Sequence, residues 1–250
     1  MKLSKVTFLL SFEVLKMRAV IGALMHILFA FCFASKEVFE KYPKNIGSDE
    51  KYITVAFVLA GFGAADANLK SDVGVWLEDS YEEAAKILSE ELQVQLKFDI
   101  TDIIPAPRSL TDEIVYRTVD GQMHGPTILN DVKKTFTNHL NPDIICVITK
   151  DKFYDGRLSN QLGFSTFTTL CNDMVPILLT FDSEIEDDVE ATARRLSKLV
   201  RSSMDDNRWN SADQRKGYFD GCNIKYKLKG DAYDDEYYVL PIDKAGFYDF

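Results

Sequence analysis

Histidine is scarce in this chain: three stand among 250 residues, at His26, His124 and His139. No two are spaced His-x-x-x-His, so no helix carries the paired imidazoles of a zinc peptidase. A metal site assembled from His124, His139 and scattered carboxylates has no spacing in its favour. Gly-x-Ser-x-Gly is also missing, which removes the nucleophile elbow as a pointer to hydrolase chemistry. A triad brought together only by the fold stays open. Gly61-Phe62-Gly63 lacks a third glycine and has no Lys or Arg nearby before Lys70, so nucleotide binding is rejected. The acidic run at 231–236 has no Asp-x-Asp-x-Asp-Gly pattern and reads as a solvated loop rather than a calcium site. No cofactor is expected.

Positive charge is short as well. Twenty-nine Lys and Arg face 39 Asp and Glu, a net of −10. Such a surface repels nucleic acid and anionic membrane, both of which call for clustered cations; neither is an expected partner. Only one long apolar run occurs, over 19–34 behind Arg18. It falls short of the roughly 18 residues a membrane span needs. It reads instead as the core of a secretory signal, with Met17 as a natural start and 1–16 as an upstream extension; an uncleaved anchor is the competing reading. Residues 1–34 carry a net +3, so the remainder is near −13. Secretion to the extracellular space is the expectation, with 35–50 as a linker and a monomeric product.

Cysteine is sparse too, four in all. Cys32 lies in the leader. Cys146 sits in the continuous apolar stretch 143–149 and reads as a buried thiol. In an oxidising compartment Cys171 and Cys222 are then the pair to bond. No Asn-x-Ser/Thr sequon occurs.

What is present is a 46% hydrophobic, 27% charged composition, enough for one sizeable core. Residues 52–60 are apolar on both faces, as in a central strand. Residues 72–92 repeat Val73, Trp76, Leu77, Tyr81, Ala84, Ala85, Leu88 and Leu92 at helical spacing. Residues 94–104 alternate as a half-buried strand ended by Pro105 and Pro107. A helix over 126–140 leads to a strand over 144–149, a loop over 151–160, and strands over 163–169 and 174–181. A helix over 189–204 follows an acidic loop, which places negative charge at its positive end. Past Asn207 regular signals fade. Strands separated by helices predict an α/β sheet with right-handed crossovers.

The stretch Thr192-Ala193-Arg194-Arg195-Leu196-Ser197-Lys198-Leu199-Val200-Arg201 through Met204-Asp205 resembles the zinc helix of the metzincins, T-A-H-E-L-G-H-x-x-G-x-x-H-D. The order before it fits the same family, in particular its secreted reprolysin-like arthropod branch: Ile148-Thr149-Lys150-Asp151, then Gly163 through Cys171 as a Gly-led edge strand ending in cysteine. The resemblance implies a metzincin-like mixed sheet over 51–206, mostly parallel with one antiparallel edge strand and flanked by long helices. A small irregular C-terminal subdomain would occupy 207–250. It also implies that Arg194, Lys198 and Met204 hold the three ligand positions and Arg195 the general-base position. Guanidinium offers zinc no lone pair, and a lysine must first lose its proton. The family also has a methionine turn beneath the metal; no methionine follows Met204, and the resemblance offers Cys222 with Ile224-Lys225-Tyr226 as its eroded equivalent.

Arg194, Lys198 and Arg201 share one helix face at i, i+4 and i+7. That is a solvated cationic face or, if the resemblance holds, the floor of a former cleft. Such a floor takes acidic side chains, a carboxylate terminus or a sulfated sugar, or is filled by internal ion pairs from the preceding acidic loop. The expected function is a metalloprotease-like binding protein without catalysis, whose partner is an extracellular protein or an acidic ligand. The alternatives are a working zinc metalloendopeptidase with an unrecognised site and an unrelated secreted α/β binding protein.

Overall fold

The computed structural model describes residues 39–181, 189–211, 215–228 and 241–243. The leader at 1–34, the acidic loop at 182–188 and the acidic run at 231–236 lie outside the described residues. The chain divides into two units. The smaller contributes only Phe39, Glu40 and Leu228 to the described residues; the central sheet and its helices belong to the larger.

Strand β1 (Phe39–Pro43) is followed by β2 (Lys51–Leu59), α1 (Asp72–Leu92) and β3 (Leu96–Pro105). Helix α2 (Arg108–Arg117), β4 (Gln122–His124), α3 (Gly125–Phe136), β5 (His139–Leu140) and β6 (Ile144–Thr149) come next. Then come β7 (Lys152–Tyr154), β8 (Gly163–Phe164), β9 (Val175–Thr180), α4 (Val189–Ser202) and α5 (Asp206–Ser211). A 3-10 turn (Arg215–Gly221), β10 (Ile224–Leu228) and β11 (Ile242–Asp243) complete the order.

The central sheet runs β3-β2-β6-β9-β8. Its first four strands are parallel and β8 is antiparallel to β9. This is the mixed α/β sheet with one antiparallel edge that was expected. Strands β6 and β9 are buried at every position, as parallel strands covered on both faces must be. One core joins alternate residues of the sheet (Phe57, Cys146, Ile177) to α1 and α4; the opposite face packs Val58, Val147 and Leu178 against α2 and α3. The result is helix, sheet, helix in three layers.

Several segments depart from the sequence expectation. Residues 35–50 read as a linker, yet they contain β1, which pairs with β10, and Asn45 is fully buried. Its amide donates to the carbonyls of Tyr52 and Phe219, both at 2.8 Å. Helix α2 went unseen because only Leu110 and Ile114 of its ten residues are buried, too few for a clear period. The loop at 151–160 contains β7. The strand over 163–169 shrinks to Gly163–Phe164, so Cys171 does not end an edge strand; it sits in a turn with φ of 62°. The tail past 207 is less irregular than its sequence suggests. Trp209, Tyr218, Phe219 and Cys222 join the same core as the sheet and α1.

One glycine fixes how α1 starts. Ser71 caps it by accepting from the Gly74 N–H at 3.0 Å. A Cβ on Gly74 would stand 2.3 Å from the Asn68 carbonyl oxygen and 2.6 Å from the Leu69 Cα. Alanine normally stabilises a helix interior by about 1 kcal/mol over glycine. Here the clash is with backbone, and Gly74→Ala should destabilise the protein by about 2 kcal/mol instead. A urea midpoint at or above that of the parent protein would overturn this.

Candidate functional site

Helix α4 buries Thr192, Ala193, Leu196, Ser197 and Val200, and packs this stripe against α1 and the sheet. Geometry therefore turns Arg194, Lys198 and Arg201 away from the core, on the face the spacing indicated. Arg195 and Leu199 lie between, toward β8. A Cβ on Gly163 would come within 2.8 Å of the Leu199 Cδ1 and 2.9 Å of the Arg195 Cδ, so the glycine lets the edge strand close on this helix.

The positions singled out as ligand equivalents part company here. Arg194 is exposed and bridges to Glu190 one turn earlier. Met204 is 2% exposed and belongs to the core. Lys198 is exposed and has no carboxylate partner among the described residues. As a donor set these three do not fit a zinc ion: two are cations and the third is a thioether packed among hydrocarbon.

Lys198, Arg201 and Met204 nevertheless line one cavity with Glu91, Thr168 and Asp206, of about 600 Å³. Arg201 is held from two sides, 2.8 Å from Asp206 and 3.8 Å from Glu91 of α1. The ion pairs on this face thus come from Glu190, Glu91 and Asp206, and they engage Arg194 and Arg201 but not Lys198. Glu91 stands over a hundred positions before Arg201, and nothing in its local sequence marks it.

The chain that follows α4 is tied in several ways. Cys171 and Cys222 are disulfide-bonded. Arg208 donates to the carbonyls of Cys171 at 3.3 Å and Tyr218 at 3.1 Å, and its guanidinium lies 4.7 Å from the Tyr218 ring centroid. The Tyr218 hydroxyl donates to the Leu170 carbonyl at 3.1 Å and accepts from the Asp205 N–H at 3.0 Å. Burial first, opposed by that backbone bond, pushes the Tyr218 phenol up. Cys222, suggested as the methionine-turn equivalent, is thus a structural bridge. Ile224, Lys225 and Tyr226 belong to β10. Cys146 is a buried free thiol, pushed up to about 12 by burial, as its apolar strand implied.

The two remaining histidines are not brought together. His124 precedes the first residue of α3, with Nδ1 2.7 Å from the Thr127 hydroxyl. His139 follows the end of that helix, against Phe136. Roughly 18 Å of helix separates them. No group of three His, Cys, Asp or Glu side chains is placed to hold a metal among the described residues.

Asp143 is a residue sequence reasoning passed over. Its Oδ2 accepts from the Thr54 N–H at 2.8 Å, the Thr54 hydroxyl at 2.7 Å and the Asn223 N–H at 2.9 Å. It joins β2, the start of β6 and the chain just after the disulfide. Burial raises its carboxyl above the ordinary value, opposed by those three bonds and by Lys225.

No family model and no curated protein matches this chain. Among solved structures it is similar to archaemetzincin from Methanopyrus kandleri, at 16% identity and a TM-score of 0.35, over 68% of this chain and 87% of that one.

Proposed function

We propose that this chain is a secreted, metal-free binding protein built on a metzincin-like frame, of the reprolysin-like type, that no longer cuts peptides. The observation that carries the reading is the cavity at the C-terminal end of α4. At that cavity Lys198 offers an ammonium with no carboxylate partner among the described residues, and Arg201 and Met204 line the same space. A cavity with this floor suits a single carboxylate or an acidic side chain better than a polyanion, because Glu91 and Asp206 already occupy Arg201. The three positions where the family has ligands hold groups that give zinc no anionic or imidazole donor.

The purified secreted chain should carry less than one tenth of a zinc per molecule after dialysis and show no cleavage of a generic peptide substrate. Elemental analysis finding about one zinc per chain would sink the reading and revive the working metalloendopeptidase. Loss of weak carboxylate binding in Lys198→Ala, with the fold unchanged, would place the ligand at this cavity.

A further inference from the structure

On the far side of the sheet from β8 lies its other edge, β3, with no strand neighbour beyond it among the described residues. Beside that edge runs a groove of about 710 Å³ between β3 and α1. Its floor is apolar: Tyr81, Ala85, Phe98 and Ile100, with the Tyr81 and Phe98 rings 4.8 Å apart edge to face. Its rim carries Glu78, Glu82 and Glu90 from α1, while Asp99, between Phe98 and Ile100, points to the other face of the sheet.

The cations nearby are already engaged. Lys86 bridges Glu82 at 3.3 Å and Glu83 at 3.2 Å, and Lys97 bridges Glu50 at 2.9 Å. Asp99 holds Lys225 at 2.7 Å. Glu78 and Glu90 have no cationic partner among the described residues. The rim is therefore net acidic, over a floor of aromatic and aliphatic carbon.

The usable edge is short, and the chain itself marks its limits. At one end the Ser89 hydroxyl of α1 accepts from the Leu96 N–H at 2.9 Å and reaches the Leu96 carbonyl at 3.3 Å, filling the place a neighbouring strand would take. At the other end the pairing of β3 with β2 shifts between Val55 and Ala56, leaving Thr101 as an extra residue, and Pro105 ends the strand. Bulges, charges and proline protect an edge from indiscriminate pairing. What remains open among the described residues is the stretch from Lys97 to Ile100.

We infer that this edge is a docking site for an extended segment of a protein partner, about five residues long, with Lys or Arg at alternate positions, which adds as a further strand beside β3. Strand addition supplies main-chain hydrogen bonds, and alternate side chains read the groove. A lysine or arginine stem lies on Tyr81, Ala85, Phe98 and Ile100 while its charged head reaches Glu78 and Glu90. A segment with acidic side chains at the same positions meets like charge and is rejected. The site is separate from the cavity at Lys198, and the two readings stand or fall independently.

The test uses a blocked six-residue peptide alternating valine and lysine, its valine-glutamate counterpart, and a valine-lysine peptide N-methylated at every second amide. Binding to the purified chain is followed by fluorescence anisotropy. The valine-lysine peptide should bind with at least tenfold higher affinity than either of the others. Glu78→Lys with Glu90→Lys, both exposed and without a cationic partner among the described residues, should weaken it at least tenfold without lowering the melting temperature. If the N-methylated peptide binds equally well, strand addition is overturned and only charge attraction remains. If the double variant binds as tightly as the parent protein, the groove assignment is overturned. A dimer of the chain itself that excludes the peptide would assign the edge to a second copy and overturn the inference as well.

Discussion

Replacing Cys171 and Cys222 together by alanine should lower stability by about 4 kcal/mol, the chain-entropy cost of releasing a loop of this length. The two residues are 51 positions apart. The loss should exceed that of most single core truncations, because the bond also positions other contacts. Gly221, beside Cys222, lies so close that a Cβ there would stand 2.1 Å from the Cys171 carbonyl oxygen. Arg208 donates to that same carbonyl, and Tyr218 bonds the neighbouring Leu170. Opening the bridge therefore loosens the core residues Tyr218 and Phe219 and, through the Tyr218 hydroxyl bonded to the Asp205 N–H, one wall of the Lys198 cavity. Equilibrium unfolding in urea is the measurement. A difference below 1 kcal/mol would mean that the packing around Gly221 holds the segment without the bond.

The second large effect is expected at Asp143. Asp143→Ala leaves the Thr54 and Asn223 N–H groups and the Thr54 hydroxyl without their acceptor, and should cost about 3 kcal/mol. Asp143→Asn keeps an oxygen in place and should cost about 1 kcal/mol at neutral pH. The two variants also separate hydrogen bonding from charge. Burial holds the Asp143 carboxyl above its ordinary value in the folded protein, so the folded state binds its proton more tightly than the unfolded chain does. The stability this contributes is complete below the unfolded carboxylate value, near 4, and is lost as pH rises through the higher folded value. The parent protein should therefore lose stability relative to Asp143→Asn as pH rises from about 3 through that window. An unchanging difference between the two across that range would show that the carboxyl is not perturbed by folding.

Much of the architecture was legible because it is written locally. Val73, Trp76, Leu77, Tyr81, Ala84 and Leu88 mark one helix face by themselves, and the observed bounds of α1 match the expected 72–92. Strands β2, β6 and β9 announce themselves as short runs apolar on both faces, which only a doubly covered parallel sheet tolerates. The face shared by Arg194, Lys198 and Arg201 is likewise a matter of 3.6-residue geometry, and Cys171 with Cys222 followed once Cys146 was placed in a strand.

Tertiary structure decided the rest, because the deciding contacts join residues far apart in sequence. Residues 35–50 lack any apolar period of their own, yet β1 exists because β10 pairs with it, and Asn45 is buried because the Phe219 carbonyl, 174 positions away, takes its amide. The partners that close Arg201, the side chains that meet at Asp143 and the groove beside β3 arise in the same way. A sequence window records which face of an element is apolar. It does not record which carboxylate from a distant helix arrives opposite a cation, nor which sheet edge is left without a neighbour, since both depend on how separately formed elements pack.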